Sequence, residues 1–151
     1  MKSVIALILM FILGIGTSHA IIDSYTIDRD KLPEEAQQML KQYFPKSKVG
    51  MIKIDRHLLK KPDYEVRLVN GTTIHFSNKG KWKSIDCKNR ELPEGILLKA
   101  ITRHVSKNFA DVKVTSVVKK SSGYEIGLSD GVILKYDLLG IFKGVKEITD
   151  E

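Results

Sequence analysis

The sequence predicts an α+β protein of two tandem repeats. Each repeat is expected to be a helix packed on an about four-stranded antiparallel sheet, the sheets joined with one open face. Three observations carry that reading. Blocks of sequence recur at an offset of sixty residues. Each copy opens on an apolar stripe at helical spacing and continues in runs of period two. Glycine-containing turn signals separate those runs.

The offset is seen at matched positions. Leu32-Pro33-Glu34 recurs as Leu92-Pro93-Glu94, and Tyr64-Glu65-Val66-Arg67-Leu68 as Tyr124-Glu125-Ile126-Gly127-Leu128. Asn70-Gly71 recurs as Asp130-Gly131, and Gly80, Trp82 and Lys83 as Gly140, Phe142 and Lys143. Self-similarity at a fixed period is the mark of a repeat architecture. The expected organisation is a signal peptide over 1–20, an N-terminal segment 21–31, a first repeat 32–86, a linker 87–91 and a second repeat 92–151. Phe44 aligns best with Phe109, so the second helix is expected to be longer by about a turn.

The elements follow in order. Lys2, the apolar run Val4 to Ile15 and the small-residue site Ser18-His19-Ala20 form a secretory signal, with Ile21 as the mature start. Pro33 and Pro93 suit a first helical turn, where a missing N–H costs nothing. Ala36, Met39, Leu40, Tyr43 and Phe44 make one helical face, as do Leu97, Ala100, Ile101 and Val105. Ile52 and Ile54, then Tyr64, Val66 and Leu68, then Ile74 and Phe76 alternate with polar residues, as strands with one wet face do. Asn70-Gly71 predicts a type I′ hairpin turn. It also matches a glycosylation acceptor with Thr72, but the turn explains both Asn70-Gly71 and Asp130-Gly131. The second copy gives strands over 112–118, 124–128, 132–136 and 141–148. Trp82 and Phe142 are expected to be packing anchors of the closing strands.

Composition narrows the function. The chain has 151 residues, 42% apolar and 28% charged, enough for a packed core. Without residues 1–20 it carries 24 Lys+Arg against 18 Asp+Glu, a net +6. Residues 32–91 hold 13 cations against 7 acids, and residues 92–151 hold 9 against 8. In an exported protein this favours an anionic partner surface over nucleic acid. No catalytic elbow, zinc helix, P-loop or dinucleotide fingerprint is present. His57, His75, His104 and Cys87 have no ligand-like spacing, so neither a metal nor a cofactor is expected.

The Leu-Pro-Glu helix starts, the Tyr-Glu-Val-x-Leu-x-Asn-Gly hairpin of Tyr64 to Gly71 and the Gly-x-Trp-Lys-x-Ile close of Gly80 to Ile85 resemble the PepSY-like, β-lactamase-inhibitor-like family of bacterial exported proteins. The resemblance covers most of residues 32–148. It implies tandem α/β units sharing a curved sheet, a periplasmic location and a grip on partners through the sheet face.

The functional expectation is a non-enzymatic cell-envelope protein that binds a protein or anionic partner on its open sheet face, with hydrolase inhibition as a sharper variant. Candidate contacts are the outward residues Arg67, Thr73, His75, Lys81, Lys83, Glu125 and Lys135. The competing class is a small-molecule binder or enzyme in the groove between repeats, which needs converging polar groups. The location expected is periplasmic or secreted, with no integral membrane segment after signal removal.

Overall fold

The computed structural model describes residues 23–56 and 60–146. The expected signal peptide, the mature start at Ile21, and His57 lie outside these described residues. The period-two runs become strands β1 (Ser24–Thr26), β2 (Val49–Asp55), β3 (Asp63–Leu68), β4 (Thr73–Phe76), β5 (Trp82–Asp86), β6 (Val114–Lys120), β7 (Gly123–Leu128), β8 (Ile133–Tyr136) and β9 (Phe142–Val145). A 3-10 turn spans Arg29–Lys31, and the α-helices are α1 (Glu34–Tyr43) and α2 (Lys99–Asn108).

The expected fold of two repeats, each a helix on an about four-stranded sheet with the two sheets joined, is corrected by this arrangement. The described strands form one nine-stranded antiparallel sheet in simple chain order, with only two short α-helices. β5 and β6 are hydrogen-bonded neighbours, with Ile85 opposite Val117, so no boundary divides the sheet. Two separate sheets would each leave a row of unpaired N–H and C=O groups at β5 and β6. Pairing the two strands satisfies both rows. β1 comes from the stretch read only as an N-terminal segment. It adds an edge strand to β2, with Tyr25 opposite Lys53.

Strand alternation divides the sheet into two faces. Across successive strands Ile52, Val66, Ile74, Ile85, Val117, Ile126 and Leu134 stand opposite one another. All seven are buried, in one cluster with Ala36, Met39 and Leu40 of α1 and Ile101 and Val105 of α2. Both helices therefore cover the same sheet face. Burying a large aliphatic side chain contributes about 1.5–3 kcal/mol, so this row is the main cohesive feature of the sheet.

Both helices have ten residues, so the longer second helix is also corrected. α2 starts at Lys99, six positions after Pro93. The intervening Gly95 has φ +91°, outside the helical range, and the chain turns there before the helix begins. The connection between β2 and β3 covers positions 56–62, against two residues between β6 and β7.

The hairpin at Asn70-Gly71 differs from the type I′ expectation. Gly71 N–H donates to Leu68 C=O (3.0 Å) and Leu68 N–H donates to Thr72 C=O (2.8 Å). Gly71 has positive φ and Asn70 does not. This is a three-residue loop, a type I turn closed by a left-handed glycine. The Asn70 side chain accepts from Thr72 N–H at 3.0 Å, an Asx bond that a type I turn accommodates. The loops ending at Gly80, Gly131 and Gly140 carry the same pair of backbone bonds.

Candidate functional site

The helix-free face of the sheet is the candidate site. Its central row, strand by strand, is Tyr25, Lys53, Glu65, His75, Ser84, Val118, Glu125, Lys135 and Gly144. A second row runs through Arg67, Thr73, Asp86 and Ser116. Between β3 and β6 these rows bound a shallow concavity of about 440 Å³.

Arg67, Thr73 and His75 all line that concavity, together with Ser84, Asp86 and Ser116. Three of the candidate residues are thus brought together. The other four are not. Lys81 is exposed in the β4–β5 turn. Lys83 reaches across the strands to Asp63, Nζ to Oδ2 3.0 Å. Glu125 and Lys135 stand opposite each other on β7 and β8, farther along the same face.

Ion pairs hold most of the charge on this face. Lys53 bridges Asp55 (2.7 Å) and Asp23 (3.2 Å), and those two carboxylates push its pKa up. Arg67 Nε donates to Glu65 Oε1 at 2.6 Å, and Lys88 holds Asp86 at 2.8 Å. Burial works against ionisation of Asp86, and its bonds from Lys88 more than offset that, leaving its pKa lowered. Glu125 accepts from Lys120 (2.5 Å) and Lys146 (3.2 Å), and the Lys120 bond is the larger cause of its lowered pKa. Every one of these carboxylates has a cationic partner, so the face is nearly charge-balanced. Sequence counts placed the positive excess in residues 32–91 but could not show which lysines are neutralised by cross-strand neighbours.

The structure adds a polar contact that the sequence did not signal. His104 on α2 stacks on Phe142 with centroids 4.6 Å apart, and its Nδ1 lies 2.9 Å from the Tyr136 hydroxyl. Trp82 and Phe142 are both partly buried and packed against the core. Cys87 is buried and free, and burial pushes its thiol pKa up against an opposing hydrogen bond with Thr72. Among the described residues, no three His, Cys, Asp or Glu side chains come together as a metal site requires. A second cavity of about 550 Å³ lies beside α2, lined by apolar side chains such as Leu92, Leu97, Val105 and Phe109 and by the polar residues Glu91, Glu94, Thr102 and Ser106. Neither cavity joins Cys87 to a histidine.

These features define a class: an α+β protein whose two helices cover one face of an antiparallel sheet and leave a polar, ion-paired face free. The chain belongs to the family described as "Putative beta-lactamase-inhibitor-like, PepSY-like", whose model matches residues 62–143. Solved structures are similar to it, among them the three that follow. One, from Bacteroides vulgatus, is described as a "putative periplasmic protein of unknown function", with 32% identity, a TM-score of 0.78, and coverage of 83% of this chain and 100% of that one. A "putative calcium-regulated periplasmic protein" from Bacteroides thetaiotaomicron has 34% identity, a TM-score of 0.77, and coverage of 83% and 97%. A second Bacteroides vulgatus structure, described as a "putative periplasmic protein" from the DUF2874 family, has 29% identity, a TM-score of 0.76, and coverage of 85% and 99%. Among curated proteins, none matches the chain. The periplasmic placement of these relatives agrees with the location read from the sequence. No helix among the described residues is long and apolar enough to cross a membrane.

Proposed function

We propose that the protein is a non-enzymatic periplasmic binding protein that takes a protein partner on the helix-free sheet face. The observation that supports this reading is the concavity over β3 to β6, where Arg67, Thr73 and His75 converge. It is shallow and open, the shape of a contact surface more than of a reaction vessel. Lys83, Glu125 and Lys135 extend the surface along the strands, and Lys81 stands at its rim. Because the acids are paired, specificity comes from the pattern of charges and hydrogen-bonding groups more than from net charge. The inhibitor-like description of the family makes an envelope hydrolase the first class of partner to try.

The experiment is capture of partners from an envelope extract by the exported protein and by two double variants. Arg67→Glu with Lys83→Glu should lose the retained partner. Lys41→Glu with Lys119→Glu, on α1 and over the Tyr124 ring, should keep it. Equal retention by both variants and the parent would reject the open face as the binding surface.

A further inference from the structure

The geometry points to a second interaction surface, on the helix side of the protein, for the surface of an anionic lipid bilayer. It consists of the β8–β9 hairpin tip and the exposed side of α2. Leu138 (51% exposed), Leu139 (76%) and Ile141 (55%) occupy this single loop. Leu98 (39% exposed), just before α2, adjoins them: its Cδ1 lies 3.4 Å from where a Gly140 Cβ would stand. Isolated exposed apolar residues are ordinary, but a contiguous group marks a contact site.

The loop geometry does not require these leucines. The β4–β5 loop closes with the same bonds, Ser77 N–H to Lys81 C=O and Gly80 N–H to Ser77 C=O. There the corresponding positions are Asn78, Lys79 and Lys81. The same turn is thus built once with a polar tip and once with an apolar one.

Two observations favour lipid as the occupant. First, the tip carries its own hydrogen bonds. Leu139 and Ile141 N–H both donate to the Asp137 carboxylate at 2.9 Å. Gly140 N–H donates to Asp137 C=O, and Asp137 N–H to Ile141 C=O. A backbone satisfied from within can enter an apolar layer at low cost. Asp137 itself is paired with Lys143 at 3.5 Å. Second, α2 is cationic on its outer side. Lys99, Arg103 and Lys107 are exposed at successive four-residue steps, and no acid lies between Glu94 and Asp111. Residues four apart share a helix face. α1, by contrast, begins with Glu34 and Glu35. A basic stripe beside an exposed leucine tip matches anionic headgroups over acyl chains. Docked this way, the helices face the bilayer and the open sheet face is directed away from it, so the two surfaces do not compete.

The test uses protein purified from the periplasm, its N-terminus sequenced first, in flotation with vesicles containing phosphatidylglycerol or with phosphatidylcholine alone. The parent should bind only the anionic vesicles, and more weakly as salt shortens the screening length. Leu138→Ser with Leu139→Ser should weaken binding about tenfold or more. Lys99→Glu with Arg103→Glu should abolish it. The inference is overturned if the parent ignores anionic vesicles. It is also overturned if the leucine variant binds like the parent, since adsorption is then charge alone. Loss of self-association in that variant with vesicle binding unchanged would instead make the tip a contact between copies. Arg67→Glu with Lys83→Glu should bind vesicles normally, which separates this surface from the open face.

Discussion

Gly80 lies so close to the start of α1 that a Cβ on it would stand 2.8 Å from the Ala36 backbone nitrogen and 2.9 Å from Pro33 Cβ. The β4–β5 turn is thereby pressed against the helix it supports. Gly80 also has φ +85°, a region that other residues enter at a cost. Gly80→Ala therefore combines backbone strain with a clash that no flexible side chain relieves. It should destabilise the fold by roughly 2–4 kcal/mol. Gly131 has nearly the same φ, +91°, but nothing within 4 Å of its Cβ position. Gly131→Ala should cost only about 1 kcal/mol. Urea denaturation of the pair measures the packing contribution by difference.

Tyr136 should ionise later than an ordinary tyrosine. Burial pushes its pKa up to about 12. Raising the pKa of an acid above its unfolded value means the folded state holds the proton more tightly. The resulting stability is fully present below pH ~10, the ordinary tyrosine value, and is lost as the pH climbs toward 12. Ultraviolet titration should show one late phenolate step that Tyr136→Phe removes. Tyr136 titrating near the ordinary tyrosine value of ~10 would show that the hydroxyl is open to water.

Much of the fold was legible because it is written in short-range chemistry. Val66 and Leu68 alternate with Glu65 and Arg67, and both apolar residues are buried. The turn glycines Gly71, Gly80, Gly131 and Gly140 fixed where strands reverse. What was not legible depends on distant partners. Nothing local to Ile85 announces Val117, thirty-two residues away, so the sequence suggested two joined four-stranded sheets where the strand pair makes one sheet of nine. Three residues, Ser24–Thr26, are too few for periodicity to mark as a strand. Pro93 and the apolar spacing that begins at Leu97 carried the expected second helix back past the break at Gly95. At the candidate site, alternation correctly turned Arg67 and His75 outward. The ion pairs that balance the face join residues up to thirty positions apart, as in Lys53 and Asp23, and no spacing rule reveals them.

Cys87 should be unreactive in the folded protein. It is 2% exposed, and the thiolate is the attacking species. Burial raises the thiol pKa, so both access and ionisation oppose reaction. A thiol-specific disulfide reagent at pH 8 should label the native protein slowly and the urea-unfolded protein at the rate of a free thiol. Fast native labelling would mean that the segment after β5 opens readily, since Cys87 N–H is otherwise held by Thr115 C=O at 2.9 Å.

Glu125 should make the far end of the open face sensitive to acid. Its carboxylate accepts from two lysines on different elements, Lys120 at the end of β6 and Lys146 after β9. It therefore ties the last strand to the sheet across β7 and β8. A lone surface pair contributes little, but a carboxylate shared by two ammonium groups is a small network. Both lysines are partly exposed, so solvent screening limits the gain to about 1 kcal/mol. The sign follows from the lowered pKa. The folded state favours the ionised form, so the contribution is present above the unfolded value of ~4.3. It disappears as the pH falls through the lower folded value. Glu125→Gln should therefore be less stable than the parent at pH 7, and the two should converge in strong acid. Lys146→Met should show part of the same deficit at pH 7, because Lys120 still holds the carboxylate. A constant difference between Glu125→Gln and the parent across this range would assign the effect to packing rather than charge.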